Sequence, residues 1–160
     1  METIQFEMIM ENGQVMKGEL YPEIAPITVQ NFVDLINKHF YDGLIFHRVI
    51  AGFMIQGGGV DQNFRSRETA SIKGEFASNG YNNPLLHTRG VLSMARTMIK
   101  DSASSQFFIM HEDAPHLDGE YAAFGKITEG LEVVDEIAHT PTDMRDCPLE
   151  PIIIKEMKLL

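Results

Sequence analysis

The chain has 160 residues, 44% of them hydrophobic and 22% charged, with 13 Lys and Arg against 23 Asp and Glu and a formal net charge of −10. A chain of this length and apolar content buries enough surface to offset its ordering entropy, which excludes intrinsic disorder and fits one domain over 1–160. The acidic balance works against nucleic acid and anionic membrane as partners, because both reward clustered cations.

At the N-terminus, Ile4, Phe6, Met8 and Met10 take alternate positions, and Asn12-Gly13 supplies residues that tolerate positive φ before a second extended run over 14–21. This predicts a β-hairpin. The same segment starts acidic, whereas a secretory leader starts basic and continues apolar, so the chain reads as cytoplasmic. After Pro22 the period changes to i, i+3, i+4, i+7 at Val29, Phe32, Val33 and Ile36, with Pro26 near the start of an amphipathic helix that ends before Asp42-Gly43. Short β-rich runs then follow at 44–50, 53–57, 91–96, 105–110 and 122–127. A second helix is predicted over Glu129–Ala138, with Thr128 as its cap, Leu131, Val134 and Ala138 on one face, and Thr140-Pro141 as its stop. A last strand covers about 151–159.

The longest apolar runs, such as Ile152-Ile153-Ile154, fall far short of the roughly 20 residues of a membrane span. A single Cys147 cannot pair within the chain, which agrees with a reducing cytoplasm. Without a linker, repeat or low-complexity tract there is no place to divide the chain. Many short strands with two helices predict a mainly β unit, a closed antiparallel barrel or a sandwich.

Several motifs mislead. His111 and His116 stand five apart with Pro115 between them, not at the i, i+4 spacing of a zinc-protease helix, and read as a polar loop. Gly57-Gly58-Gly59 lacks the spacing of a phosphate cradle and reads as a place where a strand bends or backbones approach. No local sequence places Ser, His and Asp in a triad, and Cys147 reads as an inert thiol. The stretch from Phe46 to Gly58 stands out instead. Arg48 on a strand face shared with Phe46 and Ile50 puts a permanent cation beside apolar surface, with Phe53, Met54 and Gln56 within reach. By pattern alone, a snorkelling rim arginine and plain core residues are the commoner reading of such a stretch.

Phe46-His47-Arg48 through Gln56-Gly57-Gly58, Gly90-Val91-Leu92-Ser93-Met94-Ala95-Arg96, Ser105-Gln106-Phe107-Phe108-Ile109, Leu117-Asp118-Gly119 and Phe124-Gly125-Lys126 together closely resemble the cyclophilin family of peptidyl-prolyl cis-trans isomerases, and bacterial cytosolic single-domain members in particular. The match runs in order from about residue 3 to 159. The resemblance implies a closed eight-stranded antiparallel barrel with a helix at each end and a substrate groove on its outside. It implies an isomerase that turns Xaa-Pro bonds and assists protein folding, with proline-containing peptides and unfolded or folding proteins as partners, and that acts as a monomer without metal or cofactor.

Position by position, the resemblance makes Arg48 catalytic together with Phe53 and Gln56, and gives the proline pocket to Phe53, Met54, Phe108 and Leu117. Ala95, Arg96, His116 and Tyr121 would complete the groove, the backbone of Arg96 pairing with the bound peptide. Four places depart from the common pattern: His116 stands where many members have Trp, Tyr121 where many have His, and Arg96 where many have Asn, while 61–69 lacks the usual Gly-rich character. Because the family's Trp gives an N–H to the inhibitor cyclosporin, His116 predicts weak inhibition. Two rivals stay open: a non-catalytic proline-peptide module on the same fold, and a barrel that stores an apolar ligand inside, as lipocalin-like barrels do.

Overall fold

The structure, a computed structural model, describes residues 2–160. Among the described residues there are eight strands: β1 (Ile4–Met10), β2 (Val15–Leu20), β3 (Leu44–Ile50), β4 (Met54–Asp61), β5 (Val91–Met94), β6 (Phe107–Met110), β7 (Ala123–Glu129) and β8 (Ile154–Leu159). They form one sheet in the order β3-β4-β6-β5-β7-β2-β1-β8, all neighbours antiparallel. Its two end strands meet through a short seam: Ile45 bridges Ile153, Phe46 N donates to Ile152 O at 3.0 Å, and Gly43 N donates to Ile154 O at 2.8 Å. The sheet is therefore a barrel, as expected, and its edges are removed by closure.

Period-2 alternation sorts the strands' side chains into two apolar clusters. Inside lie Phe6, Phe46, Ile55, Leu92, Phe107 and Phe124, joined by the buried faces of α1 (Pro26–Asn37) and α2 (Leu131–Ala138). Phe32 of α1 makes ring contacts with Phe6, Tyr41, Phe107 and Phe124 at centroid distances of 5.9, 5.3, 5.5 and 5.0 Å. Each such ring contributes roughly 2–3 kcal/mol by burial. These rings fill the interior, so the ligand-storing barrel is not what this chain builds. The second cluster, with Met54, Val91, Phe108, Met110, Leu117 and Ala123, lies on the opposite face of β4, β6, β5 and β7. It floors an external groove.

Several boundaries shift from the predicted ones. β4 continues to Asp61, β5 stops at Met94, and β6 begins only at Phe107. β7 runs on to Glu129, so Thr128 belongs to a strand and α2 starts at Leu131 after a left-handed Gly130. β8 starts at Ile154, because the segment before it pairs instead with β3 at the seam. α1 has no side-chain cap at Ala25; the buried Glu75 carboxylate takes that role by accepting from Thr28 N at 2.6 Å and Thr28 Oγ1 at 2.7 Å. Among the described residues no helix is long and apolar enough to cross a membrane.

Candidate active site

Strand register lines up the central residues. Arg48 of β3 pairs with Gln56 of β4, Gln56 with Phe108 of β6, and Phe108 with Ser93 of β5, giving one row across four strands. One expectation fails at the start of this row: Arg48 does not share a face with Phe46. The register shifts between Phe46 and Arg48, so Phe46 points into the barrel while Arg48 emerges outside with Ile50. A Cβ on Gly57, opposite this bulge, would lie 2.5 Å from Ile45 O, so only glycine permits the close approach of the two strands there.

Arg48, Phe53, Met54, Gln56, Ala95, Arg96, Phe108, Leu117 and Tyr121, nine of the ten predicted site residues, line one cavity of about 140 Å³. Met54, Phe108 and Leu117 are buried, at 2%, 5% and 8% exposure, and make its apolar floor. The tenth, His116, is on the rim, stacked on Phe53 with ring centroids 5.7 Å apart. A roomier hollow of about 450 Å³ lies elsewhere, against α2 and the β1–β2 turn. Its charged walls are Glu11 and Glu136, which offer no cation beside apolar surface, so volume does not decide between the two.

The electrostatics centre on Arg48. Its Nη1 donates to Gln56 Oε1 at 3.4 Å, and Gln56 Nε2 in turn donates to Gln106 Oε1 at 3.1 Å. Gln106 thereby orients the Gln56 amide so that its carbonyl faces the guanidinium. Burial, and then Arg48 itself, push the neighbouring His47 imidazole below the ordinary histidine value. Arg96 is employed differently from Arg48. Its guanidinium sits 4.7 Å from the ring centres of both Phe76 and Tyr121, Nε and Nη2 donate to Glu120 O, and Nη1 donates to Thr97 O. It braces the rim, with three of its five N–H donors engaged and its face stacked on two rings.

Behind the floor lies an arrangement that the local sequence does not reveal. Ser93 Oγ is 2.8 Å from His87 Nε2, and His87 Nδ1 is 3.0 Å from Asp118 Oδ1, the bonding order of a hydrolytic triad assembled from the 87–93 stretch and the distant Asp118. Ser93 is 0% and His87 1% exposed, so no carbonyl can reach the hydroxyl. A neutral ring with its hydrogen on Nδ1 satisfies both contacts. Burial holds His87 below its usual pKa against the opposing pull of Asp118. The ring stacks under Phe108 at 6.0 Å, so the set fixes the pocket floor rather than attacking a substrate. The thiol of Cys147 is pushed up by burial and then by Asp143, which disfavours a thiolate nucleophile. His111 turns toward Asp135 while His116 lies on Phe53, so the two histidines do not converge.

Gln106, Phe76, His87, Ser93 and Asp118 were not singled out from the sequence. Gln106 was within reach, since it stands two before Phe108 in the predicted β-rich run 105–110, although β6 itself begins one residue later. Beyond Gln56 the groove continues into a recess of about 220 Å³ walled by Thr97, Ser102, Ser104 and Gln106. A hydroxyl-lined hollow of about 270 Å³ with Ser66, Thr69 and Ser71 adjoins it where the 61–69 segment departs from the common pattern.

Comparisons with known proteins give the chain's family and its fold relatives. A sequence model described as "Cyclophilin type peptidyl-prolyl cis-trans isomerase/CLD" matches residues 5–159. A peptidyl-prolyl cis-trans isomerase of Acinetobacter baylyi is 46% identical over 151 residues, covering 88% of this chain and 78% of its own. Peptidyl-prolyl cis-trans isomerase B of Bacillus subtilis is 47% identical over 131 residues, covering 82% and 88%. Among solved structures, a cyclophilin type peptidyl-prolyl cis-trans isomerase of Cryptosporidium parvum superposes with a TM-score of 0.84 at 31% identity, covering 99% of this chain and 98% of its own.

Proposed function

The chain belongs to the cyclophilin-type peptidyl-prolyl cis-trans isomerase family, and from that premise we propose that Arg48 and the hollow of Phe53, Met54, Phe108 and Leu117 carry its reaction. The activity is rotation about Xaa-Pro amides. The observation that supports this siting is the guanidinium at the mouth of an apolar cavity of about 140 Å³.

The reaction is opposed by loss of amide conjugation, a barrier of about 20 kcal/mol, and breaks no covalent bond. It calls for no metal or redox chemistry. In the twisted transition state the imide nitrogen regains its lone pair and becomes pyramidal, so a fixed cationic donor interacts with it more strongly than with either planar isomer. Only such differential stabilisation raises the rate. A 10⁵-fold acceleration takes roughly 7 kcal/mol at about 1.4 kcal/mol per tenfold. One charge-assisted hydrogen bond supplies about 1.5–3 kcal/mol of that. The apolar hollow contributes the rest by holding the prolyl ring while the acyl side turns and by excluding water that favours the planar, charge-separated amide. Gln56, oriented by Gln106, aims the guanidinium. A binding module on this fold would keep the hollow but need neither Arg48 nor Gln56, so their pairing favours the enzyme.

Proline-containing peptides fit this groove, and a Cryptosporidium parvum relative was crystallised in the presence of the dipeptide Ala-Pro. Physiologically, the substrates are unfolded and folding proteins in the cytoplasm, met by a monomer whose 1–160 segment is one domain. Cyclosporin binds weakly, because the exposed His116 replaces the indole donor many members carry. Titrating the protein with an Ala-Pro peptide tests the siting. Shifts should appear in the resonances of Phe53, Met54 and Phe108; shifts confined to Glu11 and Glu136 would move the site to the larger hollow.

A further inference from the structure

A cluster of ionisable side chains that the reaction does not use stands beneath the turn carrying Phe53. His111, 6% exposed, is flanked by Asp135 and His139 of α2 and its C-terminal cap, and by Arg89. Its Nδ1 lies 2.8 Å from Gly52 N, and its Nε2 lies 3.1 Å from Asp135 Oδ1. Arg89 grips the same carboxylate with two donors, Nη1 to Oδ1 at 2.6 Å and Nη2 to Oδ2 at 2.9 Å. The Arg89 guanidinium holds Asp135 below the usual carboxylate range, which leaves it an ionised acceptor. A backbone N–H can only donate, so Nδ1 has to present a lone pair to Gly52, and the ring hydrogen then belongs on Nε2, facing Asp135.

Gly52, at φ +82°, is the third residue of the turn closed by Phe53 N donating to Ile50 O at 3.0 Å. Phe53 O accepts from His111 N at 2.9 Å. The imidazole and the backbone of His111 thus hold the two residues that aim the Phe53 ring. We propose that His111 is a positioning residue for the isomerase: its Nε2–H tautomer, set by Asp135 and Arg89, accepts the Gly52 N–H and fixes Phe53 as a wall of the proline pocket. The proposal rests on Phe53 forming that wall.

Two isosteres separate the ring's two bonds. In His111→Asn the side-chain oxygen takes the place of Nδ1 and keeps the Gly52 contact; in His111→Gln the amide takes the place of Nε2 and keeps only the Asp135 contact. Peptide isomerisation kinetics, amide exchange at Gly52 and the melting temperature are measured for both. The Gln variant should raise KM about fivefold with kcat changed less than twofold, the size expected for one neutral hydrogen bond, and the Asn variant should restore KM to within about twofold of the parent. Gly52 should stay protected in Asn and exchange freely in Gln. A purely structural ring would lower the melting temperature in both without this split, and equal KM values or the reverse order would overturn the proposal. Protection at Gly52 that splits without a split in KM retires Phe53 as a pocket wall and leaves the tether standing. The imidazole ¹⁵N spectrum of the unaltered protein needs no variant to fold: Nδ1 should be unprotonated and Nε2 protonated, and a hydrogen on Nδ1 refutes the tether outright.

Discussion

Arg48 offers its donors in a rigid, planar fork, and Gln56 decides where that fork points. Replacing Gln56 with Leu keeps the volume but leaves the guanidinium unaimed. It should lower kcat/KM about tenfold, with peptide binding nearly unchanged, because aiming matters only in the twisted state. An unaltered kcat/KM would show that Arg48 finds its place without Gln56. His116 contributes through Phe53, on which it lies. His116→Trp should restore an indole donor at the rim and tighten cyclosporin about tenfold, read by competition against a peptide; unchanged affinity would assign the weak binding to another position. At this scale the sequence was legible where residues act from one short segment. The run from Arg48 to Gln56 could be read directly, whereas His87 and Ser93 meet Asp118 only because a distant segment folds back against them, beneath Phe108.

At the scale of elements, alternation and helical period located the strands and both helices, because those patterns follow from which face each element buries. They did not locate the register shift between Phe46 and Arg48, because a bulge is a property of two paired strands and not of one. That shift is what separates a core phenylalanine from an exposed catalytic candidate two residues later. The start of α1 was likewise illegible: Ala25 cannot cap, and the Glu75 carboxylate that does so comes from a distant, irregular segment. Glu75→Ala should strand the Thr28 N–H and hydroxyl in the interior and cost about 1–3 kcal/mol, measured by chemical denaturation. A loss below a few tenths of a kcal/mol would show that water or a shifted backbone satisfies the helix end as well.

For the molecule as a whole, the barrel gives the site two faces to work with: an interior packed with aromatic rings, and an outer cluster that the groove is cut into. Closure could not be read from composition or period, since it depends on a seam of few contacts between the first and last strands of the sheet. Burying His47 and His87 in this architecture also sets an acid limit. Burial holds both imidazoles below their ordinary value, aided by Arg48 for His47 and opposed by Asp118 for His87. A depressed histidine takes its proton more readily in the unfolded chain, so its contribution is present above about pH 6.5 and is lost as pH falls toward the folded value. The melting temperature should therefore drop as pH is lowered below that point, less steeply in His87→Asn; a rise on acidification would contradict the assignment. The central claim, that a fixed guanidinium beside an apolar hollow favours the half-rotated imide, is tested most directly by exchange spectroscopy on an Ala-Pro peptide with the parent chain and Arg48→Ala. The account predicts catalysed exchange in the parent and a loss of tenfold or more in the variant while the peptide still binds. Exchange in Arg48→Ala as fast as in the parent, or parent exchange no faster than buffer, would contradict it.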